Sequence, residues 1–439
     1  MMMPYFLLPR LPPSLYTYIH LQDASDVPQP VINESLSYYL NDIKHQINLY
    51  EHQWETFKRY TNTYEYIHTT IPYKKYCVSR YKPLSRSFFK MIELLHSFEL
   101  GAETPEPFHS FHLAEGPGGF IEALATFRNR ADDTYVGMTL QDHSSSDYNI
   151  PAWKKSQQFL QEYSRVVKLE NGCDHTGNIL SLDNFVYIHE MYGGKMDLVT
   201  ADGGFDFSTD FDHQEVNVTS LIYGQIVYAL CLQKPGGCFV LKVFDMFMQH
   251  TVDMVALLSS LYEKVYVTKP NTSRMANSEK YLVCKGFLPT SSYKLYPYLY
   301  ESFKQMLAPK KVQAQAQDHP RYVGRILSPN APVNHYFVNR LEEANVVLGQ
   351  SQIENIYVTL SFMVGECIPN GNGNAHKGNE RTARMARMHQ EASASIADGE
   401  TSELDTSRSF HRNKIQHLIK SNIQKCIQWC IQYNLMYNF

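Results

Sequence analysis

The sequence predicts a doubly wound α/β fold with a seven-stranded sheet and helical extensions at both ends. Between about residues 111 and 287, short apolar runs alternate with helical segments, the order expected when parallel strands are joined by helices. A Gly-rich turn joins the first apolar run to the first helical segment. The chain has 439 residues, 44% hydrophobic and 19% charged, which is the composition of an ordinary globular protein with room for one large core.

The central region, assigned to 79–290, supplies the strands and helices of this sheet. Seven short apolar runs are typical of buried parallel strands. They are 111–114, 135–140, 166–169, 196–201, 238–244, 265–268 and 281–284. Between and beside them, helices are predicted at 87–100, 120–128, 220–233 and 252–262.

The flanking segments have a different character. Residues 1–78 are predicted to be a mostly helical extension, and 291–369 an α+β extension. Gly and Asn followed by scattered charges indicate a flexible linker or loop at 370–409. Residues 410–439 predict an amphipathic helix, because isoleucines recur four apart at Ile415, Ile419, Ile423, Ile427 and Ile431. Such a face either packs on the protein's own body or binds a partner, including a second copy of the chain.

Charge and cysteine usage exclude several classes of protein. Lys and Arg number 40 and Asp and Glu 44, so a formal net charge of -4 excludes a histone-like protein that binds by bulk charge. No run of 18 apolar residues is present, and the apolar start of the chain is interrupted by Pro4 and Pro9, which argues against a secretory signal. Eight cysteines without a CxxC pair indicate a reducing compartment, so we expect a cytoplasmic protein without structural zinc.

The Gly-rich turn is the sharpest local motif. It follows the first predicted strand and reads Glu115-Gly116-Pro117-Gly118-Gly119-Phe120. A dinucleotide fingerprint would require a third glycine where Ile121 stands, and a phosphate-binding loop would require Gly-Lys before Ser or Thr. What remains is either a turn typical of S-adenosylmethionine (SAM) binding, with free N–H groups at the helix start, or a turn with a purely structural role.

Four charged residues stand out from their surroundings. Lys242 interrupts an apolar strand. Burying a lysine there costs free energy, so we expect it to have an ionic or hydrogen-bonding partner or a functional role. Asp202 ends the fourth predicted strand, at the edge where open α/β sheets bind ligands. Glu279 begins the last strand, and Lys90 lies on an amphipathic helix before the first strand. Each of the last two alone would be an unremarkable surface charge.

Together these residues resemble a known family. The order Lys90, Asp202, Lys242, Glu279 is similar to the Lys-Asp-Lys-Glu tetrad of the FtsJ/RrmJ family of RNA ribose 2′-O-methyltransferases. The segments SRSFFK, EGPGGF, ADGG and SEKYLVCKGF resemble that family's motifs, and the resemblance covers roughly residues 80–287. It implies a Rossmann-like, SAM-dependent methyltransferase.

Within the family, the likeness is to the enzymes that methylate mRNA caps. Residues 173–179, CDHTGNI, resemble a loop of that branch, and 57–65 resemble its upstream segment. Asn178 departs from the acid that is common at its position. The layout is similar to FtsJ-like proteins of large cytoplasmic DNA viruses, asfarviruses in particular. The resemblance implies capped mRNA as substrate; ribosomal or other RNA, and an inactive RNA- or partner-binding scaffold, remain as alternatives.

The resemblance also implies roles for the tetrad. Lys242 would be the general base that deprotonates the ribose hydroxyl, which requires a lysine pKa well below its ordinary ~10.4. Lys90 would lower that pKa by its like charge and steady the alkoxide. Asp202 would orient Lys242, and Glu279 would position Lys90 and the ribose.

The remaining expectations concern ligands. The predicted SAM contacts are Glu115, Gly116, Pro117, Gly118, Gly119, Phe120, Leu140, Asp174, Asn178 and Asp202. A basic run with interleaved tyrosines is predicted to hold RNA through phosphate contacts and stacking, although it could equally be a solvated loop. It comprises Lys74, Lys75, Arg80, Lys82 and Arg86 with Tyr73, Tyr76 and Tyr81. Arg381, Arg384 and Arg387 suit either a mobile RNA arm or a plain linker, and no metal is expected.

Overall fold

An eight-stranded sheet forms the centre of the first of two units into which the chain folds. The structure is a computed structural model, and it describes residues 3–102, 107–141, 152–204, 213–308, 322–366 and 402–438. The strands are β1 (Tyr5–Leu8), β2 (Ile19–Ala24), β3 (His109–Leu113), β4 (Thr134–Met138), β5 (Val167–Glu170), β6 (Met196–Ala201), β7 (Gln233–Val243), β8 (Tyr262–Thr268), β9 (Lys280–Phe287) and β10 (Tyr322–Leu327). The first unit comprises Met1–Tyr39, Tyr81–Ser273 and Asn277–Gln350, and the second Leu40–Arg80, Arg274–Ala276 and Ser351–Phe439.

The helices follow the same chain order. They are α1 (Glu34–Asn48), α2 (Glu51–Thr61), α3 (Ser87–Ser97), α4 (Gly119–Arg128), α5 (Gln157–Glu162), α6 (Leu182–Tyr192), α7 (Gln214–Asn217), α8 (Thr219–Leu232), α9 (Gln249–Leu261), α10 (Tyr296–Leu307), α11 (His335–Glu366) and α12 (Ser402–Gln432). No described helix combines the length and the apolar character needed to cross a membrane.

The central sheet runs in the order β1-β8-β9-β7-β6-β3-β4-β5. Strands β3 to β7 pair in parallel, as predicted. Strand β9 is antiparallel to both β7 and β8, so the prediction of a parallel strand at 281–284 is wrong. The chain leaves β3 towards β4 and β5 and later returns to β6 on the other side of β3. The strand order therefore reverses between β3 and β6, and a crevice opens at the carboxyl ends of such strands.

The sheet has one strand more than the seven predicted. The additional strand, β1, pairs antiparallel with β8 at the edge of the sheet. The segment predicted to be a mostly helical extension thus contributes a strand to the sheet in addition to α1 and α2. An exposed edge strand offers unpaired N–H and C=O groups, and the backbone of β1 pairs with those of β8. Strand β2, from the same extension, pairs with β10 in a separate two-stranded sheet.

One continuous hydrophobic core packs around the sheet. Helix α8 is buried on nearly all sides and contacts β6, β7 and α10. Its apolar residues are spread around the whole circumference, which is the pattern of a helix enclosed by protein. Helices α3 and α4 contact one another, and α9 contacts β8 and β10. The core holds the carboxyl ends of β3, β6 and β7 in fixed positions relative to one another.

The second unit has its own ionic centre. The buried carboxylate of Glu65 accepts hydrogen bonds from Asn62 Nδ2 at 2.6 Å and from the Thr69 hydroxyl at 2.9 Å. Arg274 Nη2 lies 2.8 Å from Glu65 Oε1. The buried charge is therefore paired and hydrogen-bonded, as a stable protein requires. Asn62 and Glu65 belong to the segment 57–65 singled out in the sequence.

The C-terminal helix begins earlier than expected. Helix α12 starts at Ser402, so residues 402–409 of the predicted linker are helical; the remainder of 370–409, including Arg381, Arg384 and Arg387, lies outside the described residues. Its buried residues are Asn422, Cys426, Trp429 and Cys430. The isoleucines beside them are only partly buried, and Ile431 is 59% exposed. Hydrogen bonds from Asn422 to the backbone fix the buried face, since Nδ2 donates to the carbonyl of Tyr60 at 2.8 Å.

A buried histidine lies in the centre of the sheet. His112, on β3, is 0% exposed and hydrogen-bonds to the hydroxyls of Ser110 at 2.8 Å and Thr200 at 2.7 Å. Burial lowers its pKa from 6.5 to about 3. The unfolded chain therefore binds a proton in this pH range that the folded chain does not bind. Stability is lost as the pH falls from 6.5 towards 3.

We expect His112→Gln to flatten this acid sensitivity, because a glutamine does not titrate. The wild-type free energy of unfolding should fall more steeply than that of the variant, by up to about 1.4 kcal/mol per pH unit. Urea denaturation between pH 7 and pH 4 measures both curves. The exposed histidine variant His335→Gln is the control and should follow the wild type. Parallel curves for wild type and His112→Gln would contradict the assignment.

Candidate active site

Lys242 and Asp202 meet at the carboxyl edge of the sheet. Strands β6 and β7 pair through Ala201 and Leu241, so the residue that follows each of them lies at the same edge. Lys242 Nζ donates to the backbone carbonyl of Asp202 at 2.5 Å and lies 3.3 Å from its Oδ1. Both side chains are largely shielded, with 12% and 15% of their surfaces exposed. The lysine that interrupts an apolar strand is thus paired with the acid that ends the neighbouring strand.

Lys90 and Glu279 form the second pair. Lys90 extends from α3, and its Nζ lies 2.8 Å from the carboxylate of Glu279, which immediately precedes β9. The Ser273 hydroxyl donates to Glu279 Oε1 at 2.6 Å. Only 9% of the Lys90 side chain and 10% of the Glu279 side chain are exposed. Neither residue is the solvated surface charge that its local sequence alone would indicate.

Tyr281 connects the two pairs. Its backbone faces that of Lys242 in the β7–β9 register, and its hydroxyl donates to Asp202 Oδ1 at 2.8 Å. Lys90 Nζ lies 6.0 Å from the centre of its ring. Burial, followed by the charges of Asp202 and Glu279, raises the pKa of the Tyr281 phenol, which therefore remains a donor. All four predicted tetrad residues thus belong to one cluster.

Tyr281 and Ser273 are contacts that sequence reasoning missed. A signal for Tyr281 was available, because residues two apart on a strand share a face and Glu279 precedes it by two positions. No local pattern identified Ser273, which contacts Glu279 only because the loop before β9 folds back.

The two lysines dominate the electrostatics of Glu279. Burial alone would raise the pKa of this carboxyl group, but the charges of Lys90 and Lys242 and the hydrogen bonds from Lys90 and Ser273 outweigh burial. The pKa of Glu279 is therefore held well below its ordinary value, and the group stays ionised. Both lysines act on this one carboxylate, so the cluster contains two amines near a common anion.

A third lysine supports the loop that carries Glu279. The buried Lys269 Nζ donates to the backbone carbonyl of Asn277 at 2.6 Å and to that of Glu279 at 2.7 Å. Burial, with the nearby charge of Lys280, lowers the pKa of Lys269 to about 7. A third hydrogen bond goes to the side-chain Oδ1 of Asn277 at 2.9 Å, so all of these acceptors belong to the loop, which Lys269 holds in place.

The Gly-rich turn is closed by its own glutamate. Glu115 Oε1 accepts the N–H groups of Phe120 at 2.7 Å and Ile121 at 2.9 Å. The N–H groups expected to be free for a ligand at the start of α4 are therefore occupied at these two positions. Gly118 has a φ of +112°, a conformation that residues with a side chain rarely adopt. The glycine lets the chain reverse between β3 and α4.

Glu115 is the most unusual acid of this edge. Burial raises its pKa to about 8, and the charge of Asp202 adds to the shift. Among the described residues, Glu115 forms no ion pair with a lysine or arginine. A buried acid without a cation is a favourable place for a positively charged ligand, because such a ligand would restore the ionised form.

The other predicted cofactor contacts have different environments. Gly116, Pro117 and Gly119 complete the turn, whereas the Phe120 ring is 0% exposed and packs near Tyr281 in the core. Only the backbone of Phe120 is therefore part of the turn surface. Leu140, two residues after the end of β4, is 41% exposed and offers an apolar surface.

Asp174 and Asn178 shape the loop after β5. Asp174 Oδ1 accepts the backbone N–H of Thr176 at 2.9 Å and Asn184 Nδ2 at 2.9 Å. Asn178 Oδ1 accepts the N–H of Leu180 at 2.9 Å. These bonds stabilise the loop itself, so both residues have a structural role in addition to any contact with a ligand.

The predicted RNA-binding run is divided between the two units. Lys74, Lys75 and Arg80 are exposed in the second unit, while Lys82 and Arg86 belong to the first. Arg86 Nη2 donates to the backbone carbonyl of Thr272 at 3.0 Å. Tyr73 is fully exposed, as a stacking residue should be.

Tyr81 does not fit the expected stacking role. Its hydroxyl donates to Glu122 Oε1 at 2.8 Å, and its ring packs 5.0 Å from that of Phe88. The side chain is thus engaged within the protein.

Within the described ranges, no group of three or more His, Cys, Asp or Glu residues is arranged to hold a metal ion.

The part of the chain that carries this cluster is similar in sequence to known methyltransferases. Residues 83–287 match the family described as FtsJ-like methyltransferase. The cap-specific mRNA (nucleoside-2′-O-)-methyltransferase 1 of Trypanosoma brucei brucei is 37% identical over 179 residues, covering 39% of this chain and 45% of that protein. The protein of the same name from Leishmania braziliensis is 35% identical over 249 residues, covering 50% and 60%. The chain therefore spans about half the length of these relatives. Residues 83–287 therefore have an FtsJ-like, Rossmann-like methyltransferase fold.

Proposed function

We propose that this protein is a SAM-dependent RNA methyltransferase that modifies the ribose 2′-OH of the cap-proximal nucleotide of mRNA. The observation that carries the proposal is the cluster in which Lys242–Asp202 and Lys90–Glu279 are linked by Tyr281. It lies in a domain that matches the FtsJ-like methyltransferases, and both relatives described above are named for cap-specific 2′-O-methylation.

SAM fits the chemistry of this edge. When bound, SAM supplies an electrophilic methyl group on a positively charged sulfonium, and its amino group carries a second positive charge. The buried carboxyl group of Glu115 would hold one of these cations. The turn formed by Gly116, Pro117, Gly118 and Gly119 would follow the ligand with its backbone, and Leu140 would supply an apolar wall. Asp174 and Asn178 would face the adenosine, and Asp202 would border the methyl group.

Lys242 is proposed as the general base. In its neutral form the amine has two N–H groups and one lone pair. The N–H groups can be accepted by the Asp202 carbonyl and carboxylate, which leaves the lone pair to take the proton of the 2′-OH. A general base in such a position contributes about 10²–10⁴-fold to the rate. Tyr281 supports Asp202 in this orientation through its hydrogen bond.

Lys90 and Glu279 would position the ribose. Lys90, as an ammonium, would stabilise the negative charge that develops on the ribose oxygen. Glu279 keeps Lys90 in place, and the Ser273 hydroxyl keeps Glu279 in place. Holding reactants in register in this way can supply several kcal/mol, out of the roughly 7–11 available from orientation.

The RNA-binding assignment is also a proposal. Exposed Lys74, Lys75 and Arg80 would contact phosphates, and the exposed ring of Tyr73 would stack on a base. Lys82 and Arg86 stay predictions from the sequence. The viral origin, the cytoplasmic location and a partner for the C-terminal helix stay predictions from the sequence.

We expect Lys242→Met to abolish most methyl transfer while SAM binding is retained. Loss of the general base should lower kcat by about 10²–10⁴-fold. The measurement is transfer from labelled SAM to capped RNA, with calorimetry for SAM affinity. Lys264→Met, on the exposed face of β8, is the matched control and should retain wild-type activity. Equal turnover in both variants would refute the assignment of the base.

We expect SAM binding to release a proton from Glu115. At pH 7 a carboxyl group with a pKa of about 8 is mostly protonated, and a bound cation favours its ionised form. Calorimetry in buffers with different ionisation enthalpies should therefore detect release of up to about one proton at pH 7. Glu115→Gln keeps an oxygen that can accept the N–H groups of Phe120 and Ile121, but it should abolish the release. The same release in the variant would exclude Glu115 as the source.

Cap dependence separates the proposed substrate from other RNA. Capped RNA should be methylated at the 2′-OH of the first transcribed nucleotide about tenfold or more faster than an uncapped oligonucleotide of the same sequence. Nucleoside mass spectrometry identifies the modified position. Equal rates would instead indicate ribosomal or other structured RNA, and an inability to bind SAM would indicate a scaffold without activity.

A further inference from the structure

Gln225 is a polar side chain on a helix that is otherwise enclosed in the core. It lies on α8 between the buried neighbours Ile222, Ile226 and Ala229, and it is itself 0% exposed. A buried amide is costly unless it forms hydrogen bonds, so its partner is informative. That partner is the backbone N–H of Gly203, which donates to Gln225 Oε1 at 3.1 Å.

This N–H belongs to the peptide group that contacts Lys242. The carbonyl of Asp202 and the N–H of Gly203 are the two polar groups of one planar trans peptide. The N–H points to Gln225, and the carbonyl, on the opposite side of the peptide, accepts Lys242 Nζ at 2.5 Å. Because the peptide is rigid, the acceptor on α8 fixes the direction of the carbonyl.

The contact is too tight for any residue but glycine at position 203. A Cβ atom there would lie 2.7 Å from Gln225 Oε1 and 2.8 Å from Ala114 Cβ, closer than real Cβ contacts. The glycine after Asp202 thus permits the approach of Gln225. The peptide is held between the helix on one side and the lysine amine on the other.

We propose that Gln225 is a positioning residue for methyl transfer. By orienting the Asp202–Gly203 peptide, it directs the carbonyl to one N–H of the Lys242 amine, while Asp202 Oδ1, 3.3 Å away, is placed for the other. The lone pair of the neutral amine is then aimed at the ribose hydroxyl. This role rests on the proposed function, in which Lys242 is the base.

The test compares two substitutions of nearly equal size. Gln225→Met removes the acceptor, whereas Gln225→Glu keeps an oxygen at the same position. Gln225→Met should lower kcat by about 10–100-fold, because a small misplacement of a catalytic group has effects of this size. The KM values for SAM and RNA should stay within about twofold, since neither ligand contacts Gln225 in the proposed role. Gln225→Glu should remain close to wild type.

A control separates positioning from stability. Val227→Ala, at another fully buried position of α8, lowers the melting temperature without touching the peptide, and it should keep the wild-type kcat. If Val227→Ala loses kcat as Gln225→Met does, or if Gln225→Met retains kcat, the positioning role is wrong. Should Gln225→Met not fold, Gln225→Asn withdraws the acceptor by one methylene and serves in its place.

Crystal structures of the same variants provide a readout that does not depend on activity. The distance from Lys242 Nζ to the Asp202 carbonyl should lengthen beyond hydrogen-bonding range in Gln225→Met and be preserved in Gln225→Glu. An unchanged distance in Gln225→Met would overturn the inference even if the wild type is a methyltransferase. Absence of methyl transfer by the wild type would refute the proposed function, while the distances would still decide whether Gln225 orients this peptide.

Discussion

The antiparallel pairing of β9 with β7 is the constraint on which the site depends. Lys242 faces Tyr281 across this pair, and Glu279 stands two residues before Tyr281. A shift of the register by one residue would turn every side chain of β9 to the opposite face of the sheet. The hydrogen bond from Tyr281 to Asp202 would then be lost, together with the link between the two lysine–carboxylate pairs. The relative positions of the site's side chains are therefore set by strand pairing rather than by any single loop.

Two buried glutamates at the same edge have opposite electrostatic environments. The pKa of Glu279 is lowered because two amines outweigh its burial, and the pKa of Glu115 is raised to about 8 because burial and Asp202 act together. Burial raises the pKa of both acids, and only at Glu279 do neighbouring amines reverse its effect. One half of this edge thus carries the amines of Lys90 and Lys242, and the other half carries Glu115, which pairs with no lysine or arginine among the described residues. This division suits the proposed reaction between a sulfonium and a ribose hydroxyl.

The elements around the site are held mainly by internal hydrogen bonds. Glu115 occupies N–H groups at the start of α4, Lys269 anchors the loop before Glu279, and Asp174 and Asn178 close the loop after β5. These bonds keep the turn and the loops in place without a ligand. Preorganisation of this kind lets polar groups act on a reacting atom without first having to rearrange. The turn thus contributes shape, and the charged side chains contribute chemistry.

The amino-acid sequence by itself predicted the seven strands of residues 111–287 and the helices α4, α8 and α9, and its resemblance to the FtsJ/RrmJ family supplied the candidates Lys90, Asp202, Lys242 and Glu279. Apolar periodicity and a lysine inside an apolar strand are local signals, and they can be read without coordinates. Only the tertiary structure decided that β1 adds an eighth strand, that Tyr81 is engaged with Glu122, and that Ser273, Tyr281 and Gln225 contact the site. The physical reason is that these contacts join residues far apart in the chain, and such contacts depend on strand register and helix packing, which local periodicity does not encode.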